Sequence, residues 1–195
     1  MKNNLKRILG VFLVLVMLTA CSQKEEPEET KPEEVKETYD ILKFTIRDEE
    51  FGLPVPYSEM LEKGWEVNTS IDEQIEPKKY MTNYFLRNKE NIIKVSFYNP
   101  TDKPIDMKDA LIAEVAAENR TFGPDVAPNI VLYDTLTFDS SIDDFTKKFG
   151  EPTHSENSVF DIYEYQLSKL AKVEVKVSKD NGLIRWITLI NYRSN

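Results

Sequence analysis

The stretch Ala171-Lys-Val-Glu-Val-Lys-Val-Ser-Lys-Asp-Asn-Gly-Leu-Ile-Arg-Trp-Ile-Thr-Leu-Ile190 decides the fold of this chain. Valine alternates with lysine or glutamate through its first part, which is the period of a β-strand with one buried face. Asn181-Gly182 is a strong turn signal between two apolar runs. The stretch therefore predicts an antiparallel β-hairpin.

Two registers of this hairpin are compatible with the sequence. A two-residue turn at Asn181-Gly182 pairs Val177 with Trp186. A three-residue turn followed by a bulge pairs Val175 with Ile187 and leaves Trp186 on the opposite face. The second register separates polar from apolar side chains better, so we prefer it.

A short amphipathic helix is predicted just before these strands, over residues 139–150. Ser141 and Asp144 have the spacing of a capping box, in which two side chains satisfy free N–H groups at the start of a helix. A further strand is predicted at Phe160–Leu167, where the alternation is weaker. The apolar side chains on one face of the helix are Ile142, Phe145 and Phe149.

The first half of the chain contains similar pieces. A helix is predicted from Pro56, a favoured first helical residue, to a stop at Gly64. Strand-like runs follow at Tyr80–Arg87 and Ile92–Tyr98. The run Ala110–Ala117 is a conflict, because its alanine and glutamate content favours a helix while its position favours a strand.

The two halves follow one pattern. Leu53–Met60 and Phe138–Phe145 lie 85 residues apart and have similar apolar spacing. We therefore predict an α+β fold of two units, 41–122 and 123–195, each with a short helix packed on a three- or four-stranded antiparallel sheet. The connection Gly123–Ile130 contains two prolines and is a candidate hinge between the units.

The first 20 residues have the pattern of a secretory signal. Three basic residues precede an apolar run, which ends in Leu18-Thr19-Ala20-Cys21. Ile8–Ala20 rises only about 20 Å as a helix, less than the hydrocarbon core of a bilayer. The pattern resembles the signal of bacterial lipoproteins, which implies cleavage before Cys21 and a diacylglycerol on its thiol. An ordinary signal with an incidental cysteine is the alternative.

Residues 21–40 are predicted to hold the lipidated cysteine and a disordered tether. Residues 22–40 contain eight acids, three lysines and two prolines, a composition typical of disorder. This composition also favours a Gram-positive cell. Loss of the signal removes three basic residues and no acid, so the net charge changes from −9 to −12. We expect no nucleic-acid partner, because nucleic acids bind through basic side chains.

Catalytic and metal-binding side chains are scarce. His154 is the only histidine and Cys21 the only cysteine, which disfavours zinc sites and nucleophile systems that need a histidine. His154 is expected in a polar surface loop. We predict no catalytic residue, no metal ligand and no cofactor. A glycosidase pair can be formed from any two of the 34 acidic residues, so a hydrolase stays open as an alternative.

Aromatic side chains are better candidates for a functional surface, because they supply much of the binding energy in protein interfaces. We predict an exposed face on which Tyr84, Tyr163, Tyr165 and Trp186 contact a partner. The alternative is that these rings belong to the core. Further aromatic residues in strand-like runs are Tyr80, Tyr98 and Tyr192.

Two stretches resemble known proteins. Leu136–Ile190, with Phe149-Gly150-Glu151-Pro152 closing its helix and Tyr163-Glu164-Tyr165 before the hairpin, resembles the helix-plus-meander unit of the SmpA/OmlA and β-lactamase-inhibitor-protein-like superfamily. The first unit, with Gly64-Trp65 and Tyr98-Asn99-Pro100, is similar to the leading repeat of lipoproteins from Gram-positive gut bacteria. The resemblance implies a concave sheet that often binds another protein, and it implies no active site.

The expected function is non-catalytic binding by a lipoprotein anchored to the extracytoplasmic face of the cell membrane. The expected partners are the membrane, through the lipid anchor, and a protein, peptide or cell-envelope component. Two alternatives stay open. One is an envelope-assembly accessory of the SmpA/OmlA type, and the other is a carbohydrate-active hydrolase that uses a carboxylate pair.

Overall fold

The computed structural model describes residues 41–67, 73–119 and 129–192. The predicted signal, Cys21 and the acidic tether lie outside these ranges, as does most of the candidate hinge at Gly123–Ile130. None of the helices within the described ranges is long and apolar enough to cross a membrane.

The described ranges contain two α-helices, one 3-10 helix and a series of strands. Helix α1 spans Tyr57–Glu62, helix α2 spans Ile142–Phe149, and the 3-10 helix spans Met107–Asp109. The strands are β1 (Leu42–Ile46), β2 (Glu49–Leu53), β3 (Val55–Pro56), β4 (Glu66–Val67), β5 (Gln74–Ile75), β6 (Tyr80–Asn88), β7 (Asn91–Tyr98), β8 (Ile105–Asp106), β9 (Leu111–Glu118), β10 (Ile130–Leu132), β11 (Thr153–Glu156), β12 (Phe160–Gln166), β13 (Ala171–Ser178) and β14 (Ile184–Asn191).

A nine-stranded antiparallel sheet dominates the fold. Its order is β11-β12-β13-β14-β9-β7-β6-β4, with β3 also paired to β9. Strands β6, β7 and β9 come from the first half of the chain and β12, β13 and β14 from the second. The halves are joined because β14 pairs with β9, for example Leu189 with Val115. The predicted α+β class is confirmed with sheet predominant, whereas two units with separate sheets are not confirmed.

Both predicted helices form near the expected residues. The capping box of α2 is present: the Asp144 N–H donates to Ser141 Oγ at 3.2 Å, and the Ser141 N–H donates to Asp144 Oδ2 at 3.0 Å. Gly150 ends this helix with φ of 87°, a backbone conformation that L side chains rarely adopt. Helix α1 begins after Pro56 and has Tyr57 and Met60 buried.

The preferred register of the β13–β14 hairpin is confirmed. Val175 pairs with Ile187, and Lys176 pairs with Trp186. The register shifts by one residue before the turn, so Arg185 is the bulged residue. The loop itself is longer than the predicted three residues. The Ser178 N–H donates to the Leu183 carbonyl at 2.9 Å, so residues 179–182 form the loop.

The conflict at Ala110–Ala117 is resolved in favour of a strand. Residues 111–118 form β9, which pairs with β7 on one side and β14 on the other. Ala113, Val115 and Ala117 are fully buried. Burial in the middle of the sheet therefore overrides the helix propensity of alanine and glutamate.

A second, three-stranded sheet in the order β10-β1-β2 was not predicted from the sequence. Its β1–β2 turn consists of Arg47 and Asp48, both with positive φ. The Arg47 guanidinium donates to Asn88 Oδ1 at 2.8 Å, which ties the turn to β6. The apolar side chains of β1 belong to the same buried core as Phe145 and Val173. Strands β5 and β8 form the third sheet of the described ranges.

Candidate binding surface on the second face of the sheet

The two faces of the nine-stranded sheet differ in what covers them. Directly paired residues of antiparallel strands point to the same face. One such row runs Tyr84, Val95, Val115, Leu189, Val173, Tyr165. Phe145 of α2 stacks on Tyr165 with ring centroids 6.1 Å apart. We call this the first face, and it carries the core.

Helix α1 lies on the first face as well. The Tyr57 ring contacts the edge of Phe97 at 5.0 Å between centroids. Phe97 follows Val95 by two residues and therefore lies on the same face of β7. Both α-helices of the described ranges thus pack on the first face, together with the apolar side chains of β1 and β2.

The predicted binding face of four aromatic residues is wrong as a single surface. Tyr165 is fully buried, and its hydroxyl lies 3.3 Å from the Ile142 carbonyl. Tyr84 and Tyr163 also lie on the first face, since they pair with Val95 and Val175. Only Trp186 lies on the other face. The cause is register: both tyrosines of β12 stand opposite inward-facing valines of β13.

Tyr84 and Tyr163 lie at opposite margins of the first face, and both are half-buried. The Tyr84 hydroxyl donates to Glu73 Oε2 at 2.8 Å. Burial, and then this bond to a carboxylate, raise the pKa of Tyr84 to about 12. Tyr163 stacks on His154 with ring centroids 4.9 Å apart. Each ring therefore has an intramolecular partner.

The second face is formed by the alternate residues of the same strands. The row through Trp186 is Ser155, Ile162, Lys176, Trp186 and Glu118. The next row is Thr153, Glu164, Glu174, Thr188, Ala116, Lys94 and Phe85. Trp186 and Ile162 are half-buried, and Phe85 is exposed at 41%.

Three ion pairs lie on the second face, two of them next to Trp186. Lys176 Nζ lies 3.1 Å from Glu174 Oε1, and Arg185 lies 3.0 Å from Glu118 Oε1. Lys172 and Glu164 form a third pair. These side chains are between 19% and 35% exposed, so each pair adds only modest stability. The pairs neutralise one another beside apolar Trp186.

A cluster of three tyrosines adjoins Glu114 of β9. The Tyr80 ring stacks on Tyr98 at 4.4 Å and contacts the edge of Tyr192 at 4.7 Å. The Tyr192 hydroxyl donates to Glu114, and Ser96 Oγ donates to Glu114 Oε2 at 2.9 Å. Glu114 pairs with Ile190, which is two residues from Thr188 on the second face. The cluster therefore extends the second face.

The tyrosine cluster is only partly exposed, and its pKa shifts reflect this. Burial, and then the hydrogen bond to Glu114, raise the pKa of Tyr192. Burial, and then the neighbouring Tyr98, raise the pKa of Tyr80 to about 12. The Tyr80 and Tyr192 hydroxyls are thus neutral at physiological pH. The sequence placed these tyrosines in strands but contained no signal that they converge.

His154 lies in edge strand β11 rather than in the predicted loop. Its Nε2 is 3.6 Å from Asp161 Oδ1, and its side chain is 49% exposed. Within the described ranges, no three histidine, aspartate or glutamate side chains are arranged to hold a metal ion.

A cleft beside the three-stranded sheet contains acidic residues. Its volume is about 310 Å³, and Glu50, Glu59 and Asp134 line it together with Lys43. Glu59 lies 3.8 Å from Lys63, whose ammonium also sits 4.2 Å from the Phe51 ring centre. One acid of this cleft, Glu59, is therefore engaged by a lysine of the chain itself.

Comparisons with known proteins give no information about the function of these surfaces. No protein-family model matches this chain, and neither a curated protein nor a solved structure matches it.

Proposed function

We propose that this protein is a lipoprotein of the extracytoplasmic membrane face that binds a protein, peptide or cell-envelope component without catalysing a reaction. One observation carries the proposal. In the described ranges both α-helices lie on the first face, and the second face bears Trp186 among paired charges, next to a tyrosine cluster. A tryptophan at such a position is a typical anchor residue of a protein interface.

The chemistry of the second face favours a polypeptide partner. Lys176 and Arg185 lie 3.1 and 3.0 Å from glutamates, and Lys172 also pairs with a glutamate. Because these three cations are neutralised by carboxylates, the described part of the second face attracts phosphates and anionic lipid headgroups only weakly. Aromatic rings with a polar rim are the composition that protein interfaces favour. A peptide or protein segment with both charged and apolar side chains fits this surface best.

The sequence supports work close to the membrane. The signal ending at Cys21 implies a lipid anchor, and two acyl chains give stable attachment where one gives only marginal binding. The 19 residues from Ser22 to Asp40 span at most about 65 Å when extended. The folded part then reaches partners in the membrane or just above it.

Affinity capture from native membranes tests this function. The full lipidated chain carries an affinity tag and is compared with Trp186→Ala and with Val159→Ala. Val159 is 48% exposed and lies in the β11–β12 turn, so it is a matched surface control. We expect a specific partner with the parent chain and Val159→Ala, and its loss with Trp186→Ala. Equal capture by all three chains would refute a role for the second face.

A hydrolase remains a second candidate because of the acidic cleft. Glu50 and Glu59 both line it, and glycosidases act through two carboxylates that flank the bond they cleave. We expect no hydrolysis of cell-wall glycans by the full chain. Activity that is lost in both Glu50→Gln and Glu59→Gln would replace the binding proposal by this one. Assembly-accessory work of the SmpA/OmlA type is a special case of the binding proposal, with an envelope-assembly protein as partner.

A further inference from the structure

Strand β11 is an edge of the nine-stranded sheet. Among the strands of the described ranges it pairs only with β12, and all four of its residues are exposed. An edge of this kind presents a row of N–H and C=O groups to any other strand. Neither lysine nor proline lies within Thr153–Glu156, although both are common protections of an edge.

The turn between β11 and β12 determines which residues of β11 bond to β12 through their main chain and which have main-chain groups that point away from the sheet. The Asn157 N–H donates to the Phe160 carbonyl at 2.9 Å, so 157 and 160 form a hydrogen-bonded pair. Pairs alternate along an antiparallel ladder. Ser155 therefore bonds to β12 through Ile162, while the main-chain groups of His154 and Glu156 point away from the sheet.

We infer that β11 pairs with β11 of a second copy of this chain, antiparallel and centred on Ser155. This register places His154 opposite Glu156 of the second copy, twice by symmetry. Both residues present their outward main-chain groups, so the contact forms four backbone hydrogen bonds. Isologous contacts of this kind close a dimer and leave no further edge at the interface.

The side chains complement this register. His154 and Glu156 point to the same face of β11, so each imidazole faces a carboxylate of the second copy. Asp161 and Tyr163 of β12 and Lys179 of the β13–β14 loop also face this pair. Lys179 forms an ion pair with Glu156. Per copy the pairing thus joins two acids to a lysine and a histidine, without a large excess of either charge.

The paired edge also enlarges the binding surface. Ser155 lies on the second face, in the row that contains Ile162, Lys176 and Trp186. Pairing through Ser155 makes the second faces of two copies continuous across the dyad. The two Trp186 rings then lie on one extended surface.

Disulfide trapping in membranes tests the pairing. Ser155→Cys places two cysteines in a non-hydrogen-bonded pair with Cα atoms about 4.5 Å apart, within the range of a disulfide. Thr153→Cys is the matched control, since it lies on the same strand and face but is about 14 Å from its equivalent in this register. The parent chain reports any cross-linking through Cys21. We expect a cross-linked dimer from Ser155→Cys alone.

A proline variant separates strand pairing from chance collision. In the Ser155→Cys chain, Glu156→Pro removes an outward N–H without removing a bond to β12, a position where edge strands tolerate proline. Glu156→Gln keeps that N–H and loses only the charge. We expect cross-linking to be abolished by proline and retained, at a lower level, with glutamine. Equal cross-linking of Thr153→Cys and Ser155→Cys, or full cross-linking with Glu156→Pro, would overturn the inference, as would the absence of a dimer from Ser155→Cys.

Discussion

Single residues distinguish the core face of this sheet from the second face, the proposed binding face. Phe145 is fully buried between α2 and the sheet, where it contacts Tyr165 and Phe149. Trp186 pairs with Lys176 and Glu118 and is only half-buried. The sequence predicted both positions from alternation in β14 and from the helical period of α2. It misplaced Tyr165, because the alternation in β12 is too weak to define which residues face inward.

We expect alanine at Phe145 to lower stability and alanine at Trp186 mainly to weaken partner binding. Phe145→Ala removes a fully buried ring and is expected to lower the free energy of unfolding by about 3–5 kcal/mol. Trp186→Ala is expected to cost much less stability and to reduce capture of the partner. Chemical denaturation of each full chain measures the first effect. Equal destabilisation by the two variants would show that Trp186 belongs to the core.

At the scale of elements, sequence patterns correctly predicted the features that depend on residues close together in the chain. The capping box, the glycine stop of α2 and the hairpin register depend on neighbouring residues, and all three are confirmed. Strands β1 and β2 were missed because their turn is Arg47-Asp48, which lacks the glycine or asparagine of a typical tight turn. The turn is held by a hydrogen bond from Arg47 to Asn88, which is 41 residues away, so no local sequence pattern predicts it.

The capping box of α2 makes a pH-dependent contribution to stability. The hydrogen bond from Ser141 holds the pKa of Asp144 below its usual value. A lowered pKa means that the contribution is complete above the ordinary pKa of aspartate and is lost as the pH falls through the lowered one. Free energies of unfolding measured down to acidic pH should show this loss in the parent chain. The loss from this group should be absent in Asp144→Asn.

Ser141→Ala tests the same cap from its other partner. Removal of an N-cap hydroxyl costs about 1 kcal/mol in helical proteins. We expect this decrease by chemical denaturation at neutral pH, with Ser158→Ala at an exposed turn position as the comparison. No measurable change in Ser141→Ala would show that α2 is held by packing of Phe145 alone.

At the scale of the whole molecule, one pairing changes the architecture. The two helix-plus-strand halves were predicted from their pattern, but the pairing of β9 with β14 joins them in one sheet. No local pattern encodes which strands of two similar halves become neighbours. For the same reason, the sequence could list the tyrosines at 80, 98 and 192 but could not bring them together.

In the proposed function, the lipid anchor sets where the whole molecule acts, and Cys21, the only cysteine of the sequence, carries it. Cys21→Ala should abolish labelling by a palmitate analogue and block lipoprotein-type processing, because no other thiol is present. Labelling in growing cells followed by gel analysis measures both effects. A persistent label on the variant chain would contradict a lipoprotein.

The binding role of the second face is tested most directly by photo-cross-linking in living cells. A benzoylphenylalanine replaces Trp186 on the second face or Tyr84 on the first, two half-buried aromatic positions of the same sheet. Irradiation should attach a distinct membrane or envelope polypeptide at position 186 and none at position 84. Attachment at position 84 alone, or equal attachment at both positions, would contradict binding through the second face.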